Sequence, residues 1–258
     1  MVKALKKCAR IIRKLYFLLL YFLLHHRKTI ANLNSYGLTD ICVFRMRHWY
    51  TGLGAEKLVR LFYRARYNGE PCFIKLVTND SSIKKEIFIN EYATQCNLDF
   101  IPKLLQSNDI NKNSSFLVTE FISGAKKFQM PNDEKSFETI CANFIYIHDC
   151  LKKYDIIHGD ISISNIILDS QNRIKLIDFG VGKAPGSEVF DTGRFIHRGT
   201  YYIPTNDSRI YDNAFSFLKV MDAAGIPTAF KQKKCYKEIE SLVGEHTYTV
   251  MSRHGGSQ

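Results

Sequence analysis

Three polar residues in the second half of the chain have the types and spacing that phosphoryl transfer requires. Asp160 and Asn165 are five residues apart, and Asp178 follows Asn165 after thirteen residues. They lie at the ends of short apolar runs, which places two carboxylates and one amide at the ends of short buried strands. A carboxylate can orient an acceptor hydroxyl, and carboxylate and amide oxygens suit magnesium bound to a triphosphate.

The segments that contain these residues resemble a known superfamily. Residues 158–165 read His-Gly-Asp-Ile-Ser-Ile-Ser-Asn, and residues 174–180 read Ile-Lys-Leu-Ile-Asp-Phe-Gly. They resemble the catalytic loop and the metal-binding Asp-Phe-Gly segment of the protein-kinase-like superfamily. The resemblance implies an α+β, bilobal fold, with a small antiparallel β lobe that carries one helix and a short, mainly helical C-terminal lobe.

The resemblance also implies ATP and Mg²⁺ as cofactors and gives each residue a role. Asp160 would be the general base that accepts or orients the acceptor hydroxyl. Asn165 and Asp178 would hold Mg²⁺ through hard oxygen ligands. Lys75 would steady the nucleotide phosphates, and His158 would support the backbone of the Asp-Phe-Gly segment.

Lys75 stands in the middle of an apolar, strand-like run. A lysine at such a position is either solvated or directed at a charged group. The segment after it predicts a helix, and one face of this helix contains Ile83, Ile87, Glu91 and Leu98. Glu91 is the acidic residue on that face, so it is expected to point inward and to pair with Lys75. Glu86 is the competing candidate, and it is expected to be solvated.

Two further segments are candidate nucleotide-binding elements. Gly52 and Gly54 lie between the first two predicted strands, where glycine lets the backbone approach phosphates closely. A plain loop is the alternative there, because Lys57 replaces the third glycine of the family pattern. Glu120 and Ile122 lie in a segment that resembles the hinge between kinase lobes, whose backbone is expected to bind adenine.

The catalytic loop departs from regulated protein kinases at two positions. Gly159 replaces the arginine that reads a phosphate on the activation segment, so no activating phosphorylation is expected. Ser162 stands where serine/threonine kinases usually have a lysine. The loop is closer to Bud32-type kinases and to lipopolysaccharide-core or aminoglycoside-type phosphotransferases. Residues 199–204 resemble the end of a protein-kinase activation segment.

Charge and cysteine content exclude other classes of protein. The chain has 258 residues and a net charge of +11. Residues 1–28 contain eight cations and no acid, which leaves +3 for the remaining 230 residues, so a nucleic-acid partner is not expected. Seven dispersed cysteines without a C-x-x-C pair indicate free thiols in a reducing compartment.

The N-terminal segment is both basic and apolar. Its ten-residue apolar run, residues 15–24, would form about 15 Å of helix, half of the roughly 30 Å that a membrane span requires. The prediction is an interfacial helix on the anionic, cytoplasmic surface of a membrane. The alternative is a helix that packs on the folded domain or on a partner subunit.

The predicted organisation has five parts: a membrane-surface helix over residues 1–28, a linker over 29–40, an N-terminal lobe over 41–122, a C-terminal lobe over 123–251 and a tail over 252–258. The main functional hypothesis is an ATP- and magnesium-dependent phosphotransferase, peripheral on the cytoplasmic face of the membrane. A glycan or a lipid-linked sugar, such as a lipopolysaccharide-core sugar, is its expected acceptor. The alternatives are a eukaryotic-like Ser/Thr protein kinase and a kinase-like scaffold without catalysis.

Overall fold

The computed structural model describes residues 12, 16, 19, 26–49, 58–78, 82–111, 114–190, 200–205 and 208–251. The chain divides into two compact units. The first contains Met1–Ile83 and Leu104–Phe121, and the second contains Lys84–Lys103 and Ile122–Gln258. The predicted lobe boundary after residue 122 lies next to one of these divisions. The predicted N-terminal lobe differs from the first unit because residues 84–103 group with the second unit.

The first unit is built on an antiparallel sheet of five strands in the order β1-β2-β3-β5-β4. The strands are β1 (Leu38–Trp49), β2 (Leu58–Tyr67), β3 (Glu70–Thr78), β4 (Leu104–Asn111) and β5 (Ser114–Glu120). Asn68 and Gly69 join β2 to β3, and both have positive φ angles, 51° and 83°. The predicted Asn-Gly hairpin is therefore confirmed, because a two-residue turn of this kind requires positive φ at both positions.

A helix over residues 26–35, here α1, packs on this sheet. Its Leu33 and the first residue of β1, Leu38, are completely buried together with Leu61, Ile74 and Phe116 of the sheet. The expected linker over residues 29–40 is therefore wrong. Helix α1 contributes only a few apolar residues to this core, among them Ile30 and Leu33, and so few positions do not make a clear helical periodicity in the sequence.

The second unit is mainly helical. Its helices are α2 (Ser82–Gln95), which begins in the first unit, α3 (Glu134–Lys153), α4 (Asn213–Ala223) and α5 (Lys234–Ser241). Short 3₁₀ helices occupy Ile163–Asn165, Ser187–Phe190 and Thr228–Gln232. One small sheet contains β6 (Lys126–Lys127), β7 (Ile166–Leu168) and β8 (Ile174–Leu176). A second contains β9 (Ile203–Pro204), β10 (Ser208–Asp212) and β11 (Thr247–Met251).

Helix α3 is the centre of the second core. Asp133 caps its start by accepting a hydrogen bond from the backbone N–H of Ser136 at 2.8 Å. The predicted apolar stripe is buried, and its Phe144 stacks on Phe217 of α4 at 4.4 Å between ring centroids. His148 lies on this stripe and is buried, so it is a core histidine. The α+β class expected from the resemblance is confirmed.

The predicted N-terminal helix and C-terminal tail lie mostly outside the described residues. Ile12, Tyr16 and Leu19 are helical and exposed. Among the residues that the structure describes, no helix combines the length and the apolar character needed to cross a membrane. The six cysteines in the described part of the chain are free thiols, as predicted.

Candidate active site

His158 organises the backbone of the candidate site. It is fully buried, and its Nε2 lies 3.1 Å from the carbonyl oxygen of Ile177 while its Nδ1 lies 3.2 Å from the backbone nitrogen of Asp160. A carbonyl only accepts and a backbone N–H only donates, so the neutral ring has its proton on Nε2. Burial lowers the pKa of His158 to about 4, which keeps the ring neutral. The ring also contacts Phe179 at 4.3 Å between centroids. The expected support of the Asp-Phe-Gly backbone is therefore present.

The Asp160 carboxylate is fixed through both oxygens. Asn165 Nδ2 donates to Asp160 Oδ2 at 3.1 Å and to the Asp160 carbonyl at 2.9 Å. Thr200 Oγ1 donates to Asp160 Oδ1 at 2.7 Å. Asp160 is partly exposed, so a held carboxylate faces accessible space. This arrangement suits a group that orients an acceptor hydroxyl.

Asp178 is brought next to Asn165 by the β7–β8 ladder. Ile166 pairs with Leu176, and the N–H of Ile177 donates to the Asn165 carbonyl at 3.0 Å. Asp178 has a φ of 71°, an uncommon left-handed conformation for a residue with a side chain. Backbone strain of this kind persists where surrounding contacts enforce it, and it is concentrated at functional sites. The second unit therefore gathers Asp160, Asn165 and Asp178 around one set of main-chain hydrogen bonds.

The donor set suits magnesium held jointly with phosphates. Asn165 donates its amide N–H to Asp160, and its Oδ1 accepts, among the described residues, from the hydroxyl of Ser164 at 3.5 Å. Asp178 is partly exposed and supplies carboxylate oxygens. In the described ranges no three His, Cys, Asp or Glu residues form a metal cluster. Two oxygen ligands from the protein, completed by phosphates and water, are typical of magnesium.

Gly159 is required by its surroundings. Its φ is 82°, and a Cβ built on it would lie 2.5 Å from the carbonyl oxygen of Val181. The segment after Asp178 therefore passes too close to the catalytic loop for any side chain. The arginine that regulated kinases have at this position cannot be accommodated without movement of the main chain.

Two residues that the sequence analysis did not identify form hydrogen bonds with the backbone of the catalytic loop, residues 158–165. The Tyr211 hydroxyl accepts from the N–H of Ile161 at 3.2 Å, and burial raises the pKa of this hydroxyl. Asn213 Oδ1 accepts from the N–H of His158 at 3.5 Å. Both side chains are buried. The one sequence feature that could have indicated Tyr211 and Asn213 is the presence of polar side chains within an otherwise apolar segment.

Lys75 belongs to the first unit. It lies in the middle of β3, opposite Phe62 of β2 and Leu117 of β5, and it is 5% exposed. Cys72, Ile74 and Leu76 of the same strand pack in the core under α1, so Lys75 lies on the other face of the sheet. Its role at the phosphates stays a prediction.

The expected inward orientation of Glu91 is wrong. Glu91 is exposed, whereas Glu86 is 4% exposed. The buried residues of α2 are Ile83, Lys85, Glu86, Ile89, Asn90 and Ala93. At about 100° per residue, Glu86, Asn90 and Ala93 lie about 60°, 20° and 80° behind Ile83 around the helix axis, whereas Glu91 lies about 80° ahead of it, on the opposite side. Glu86 is therefore the buried acid of α2.

The remaining candidate residues have less structural definition. Gly52 and Gly54 lie outside the described residues. Glu120 ends β5 opposite Cys72 and is partly buried, in the first unit. Ile122 is partly buried and begins the next segment of the second unit. Their expected part in adenine binding stays a prediction.

Comparison with known proteins shows the family of the chain. Residues 52–202 match the family model described as protein kinase domain, which is more than half of the chain. Serine/threonine-protein kinase CLA4 of Candida albicans is 31% identical over 137 residues, which are 50% of this chain and 14% of that protein. Serine/threonine-protein kinase sck1 of Schizosaccharomyces pombe is 35% identical over 95 residues, 34% of this chain and 14% of that protein. The chain thus matches only a small part of the length of these relatives.

A solved structure, that of the Cydia pomonella granulovirus kinase PK-1, is 18% identical, with a TM-score of 0.42 over 61% of this chain and 60% of that chain. The matched span contains Lys75, Asp160, Asn165 and Asp178. With this match, the chain belongs to the protein kinase domain family.

Proposed function

We propose that the chain is an ATP- and magnesium-dependent serine/threonine protein kinase. The observation that carries this proposal is the doubly held Asp160 carboxylate, which accepts from Asn165 at 3.1 Å and from Thr200 at 2.7 Å. Thr200 comes from the segment that resembles the end of a kinase activation segment. The hydrogen bond from Thr200 therefore connects that segment directly to Asp160, the candidate base.

A protein acceptor is better supported than the glycan or lipid-linked sugar that the sequence first suggested. The matching relatives from Candida albicans and Schizosaccharomyces pombe are both named serine/threonine-protein kinases. A probable serine/threonine-protein kinase of Dictyostelium discoideum is 33% identical over 115 residues. These names favour the alternative hypothesis over the original one.

In the proposed mechanism, the chain supplies orientation and charge. Asp160 accepts a hydrogen bond from the serine or threonine hydroxyl and takes up its proton as the phosphoryl group transfers. Asn165 and Asp178 would hold Mg²⁺, and Lys75 would neutralise phosphate oxygens. When bound, the metal neutralises charge on the phosphate oxygens during transfer.

The test is transfer of labelled phosphate from ATP to a mixture of unfolded proteins, followed by phosphoamino-acid analysis, with core sugars as parallel acceptors. We expect labelled serine or threonine, and loss of the label in Asp160→Asn. The matched control is Asp149→Asn, which changes an exposed carboxylate of α3 and should retain activity. Label only in the sugars would favour the original hypothesis. No label in either, from a folded chain, would favour the scaffold.

Attachment to the cytoplasmic membrane surface remains a separate proposal. Ile12, Tyr16 and Leu19 are spaced by four and three residues, so they share one helical face, and all three are exposed. We expect the chain to float with vesicles that contain phosphatidylserine and not with phosphatidylcholine vesicles. Leu19→Asp should abolish flotation, because it puts a charge on the apolar face. Equal flotation of this variant would contradict attachment through that face.

A further inference from the structure

We propose that His246 is a positioning residue for phosphoryl transfer, which acts by orienting the side-chain amide of Asn213 against the catalytic loop. The inference rests on the proposed kinase activity. It assigns a role to a segment near residue 246 that lies far from the catalytic loop in sequence.

His246 contacts a polar group at each ring nitrogen. Its Nδ1 lies 3.4 Å from Asn213 Nδ2, and its Nε2 lies 3.4 Å from Asp155 Oδ1. A carboxylate can only accept, so the proton of the neutral ring lies on Nε2, directed at Asp155 Oδ1, and Nδ1 is left as an acceptor that faces the Asn213 amide. His246 is 9% exposed, and burial lowers its pKa, which favours this neutral form.

Asn213 places its amide between His246 and the start of the catalytic loop. Its Oδ1 accepts from the N–H of His158 at 3.5 Å, and its Nδ2 lies 3.5 Å from the carbonyl oxygen of Ile156. The two ends of an amide have nearly the same shape, so only hydrogen-bond partners decide which end points where. His246 and Ile156 both require a donor, and His158 requires an acceptor. His246 thus helps to fix the orientation that serves His158.

The orientation of the Asn213 amide affects the position of the candidate base, Asp160, which lies two residues after His158. The His158 ring accepts from the N–H of Asp160 and donates to Ile177, which precedes Asp178. If the Asn213 amide turned over, its NH₂ group would face the N–H of His158, and two donors would oppose each other in a buried place. That arrangement is costly because neither donor is satisfied. The backbone at His158 would move, and Asp160 would move with it.

The segment that contains His246 is itself held against α4 and β10. The N–H of Gly244 donates to Asp212 Oδ2 at 2.8 Å, and Thr247 of β11 pairs with Asp212 of β10. Lys183 lies 5.0 Å from the centroid of the Tyr248 ring. His148 of α3 lies edge-on to His246 at 6.5 Å between ring centroids. These contacts fix the position of His246 next to the side-chain amide of Asn213.

Two substitutions separate orientation of Asn213 from simple packing. In His246→Asn, the new Oδ1 takes the place of the Nδ1 acceptor, while the contact with Asp155 is lost. In His246→Gln, the amide reaches the place of Nε2, and the acceptor beside Asn213 is lost. We expect kcat to fall about tenfold in His246→Gln and in His246→Ala, with an unchanged KM for ATP, and to stay within about threefold of wild type in His246→Asn. The control is Glu245→Ala, whose exposed carboxylate contacts Lys152.

A higher kcat in His246→Gln than in His246→Asn would overturn the inference, because activity would then depend on the size of the side chain and not on the acceptor beside Asn213. An equal loss of kcat in Glu245→Ala would overturn it as well. Hydrogen exchange at the amides of residues 158–161 distinguishes this inference from the proposed function, because it needs no activity. Faster exchange in His246→Gln than in His246→Asn supports positioning even if the wild-type chain transfers no phosphate, and equal exchange in both refutes it.

Discussion

The close approach at Gly159 gives the sharpest quantitative prediction. In Gly159→Ala, a residue with a side chain would adopt a φ of 82°, which costs about 1–2 kcal/mol. The new Cβ would also lie 2.5 Å from the carbonyl oxygen and 2.9 Å from the carbonyl carbon of Val181, and overpacking of this kind costs about 1–3 kcal/mol more. The free energy of unfolding should therefore fall by about 2–5 kcal/mol.

Gly225→Ala is the matched control. Gly225 has a nearly identical φ of 79°, and a Cβ on it would have no atom within 4 Å. It should show only the conformational cost, about 1–2 kcal/mol. The melting temperature of Gly159→Ala should therefore lie about 2–12 °C below that of Gly225→Ala.

Activity should separate the two variants further. Relief of the contact with Val181 must move the catalytic loop or the segment after Asp178, and a shift of about 1 Å can reduce catalysis about a hundredfold. The assays are thermal unfolding and phosphate transfer with both purified variants. Equal melting temperatures and equal kcat for the two would refute the reasoning, because the contact with Val181 would then have no energetic weight.

Three further predictions concern buried polar groups. His158 has a pKa of about 4 in the folded protein and 6.5 when exposed, so the unfolded chain takes up a proton at this residue more readily than the folded one. Its contribution to the free energy of unfolding is therefore complete above pH 6.5 and falls by up to about 3 kcal/mol towards pH 4. Denaturant unfolding without magnesium should show a weaker pH dependence in His158→Gln. Asp212→Ala should lower the free energy of unfolding by about 2–4 kcal/mol, because the backbone N–H groups of Phe215 and Gly244 both lose a completely buried carboxylate acceptor, against about 1 kcal/mol for the exposed cap in Asp133→Ala; equal losses would contradict this. His148→Leu should stay within about 1 kcal/mol of wild type in the same assay, because the buried Nε2 has no hydrogen-bond partner in the described part of the chain; a loss above about 3 kcal/mol would contradict it.

The sequence predicted those parts of the molecule in which local pattern and structure agree. Asn68 and Gly69 specify a turn by themselves, since both tolerate positive φ. Phe137 and Phe144 belong to a stripe with helical spacing, which α3 buries. Asp160 and Asn165 are close in the chain, so a local loop suffices to bring their side chains together.

The missed features depend on contacts between distant segments. Leu33 is buried by strands that come much later in the chain. No pattern in residues 29–40 indicates that these strands pack against it. The orientation of α2 decides between Glu86 and Glu91. A stripe drawn from Ile83 with steps of four residues has rotated about 80° ahead by Glu91, whereas the buried residues of α2 lie behind Ile83. Asn213 binds the loop at His158 from 55 residues away, and a single buried amide has no periodic signal.

The two cores have a practical consequence for the choice of expression boundaries. The family match spans residues 52–202, yet Leu33 and Leu38 before it and Phe217, Tyr236 and Ile239 after it are buried in the cores. A fragment trimmed to the match would leave the apolar partners of these side chains facing water. Such surfaces favour aggregation. A crystallisable or assayable fragment should therefore retain residues 26–251.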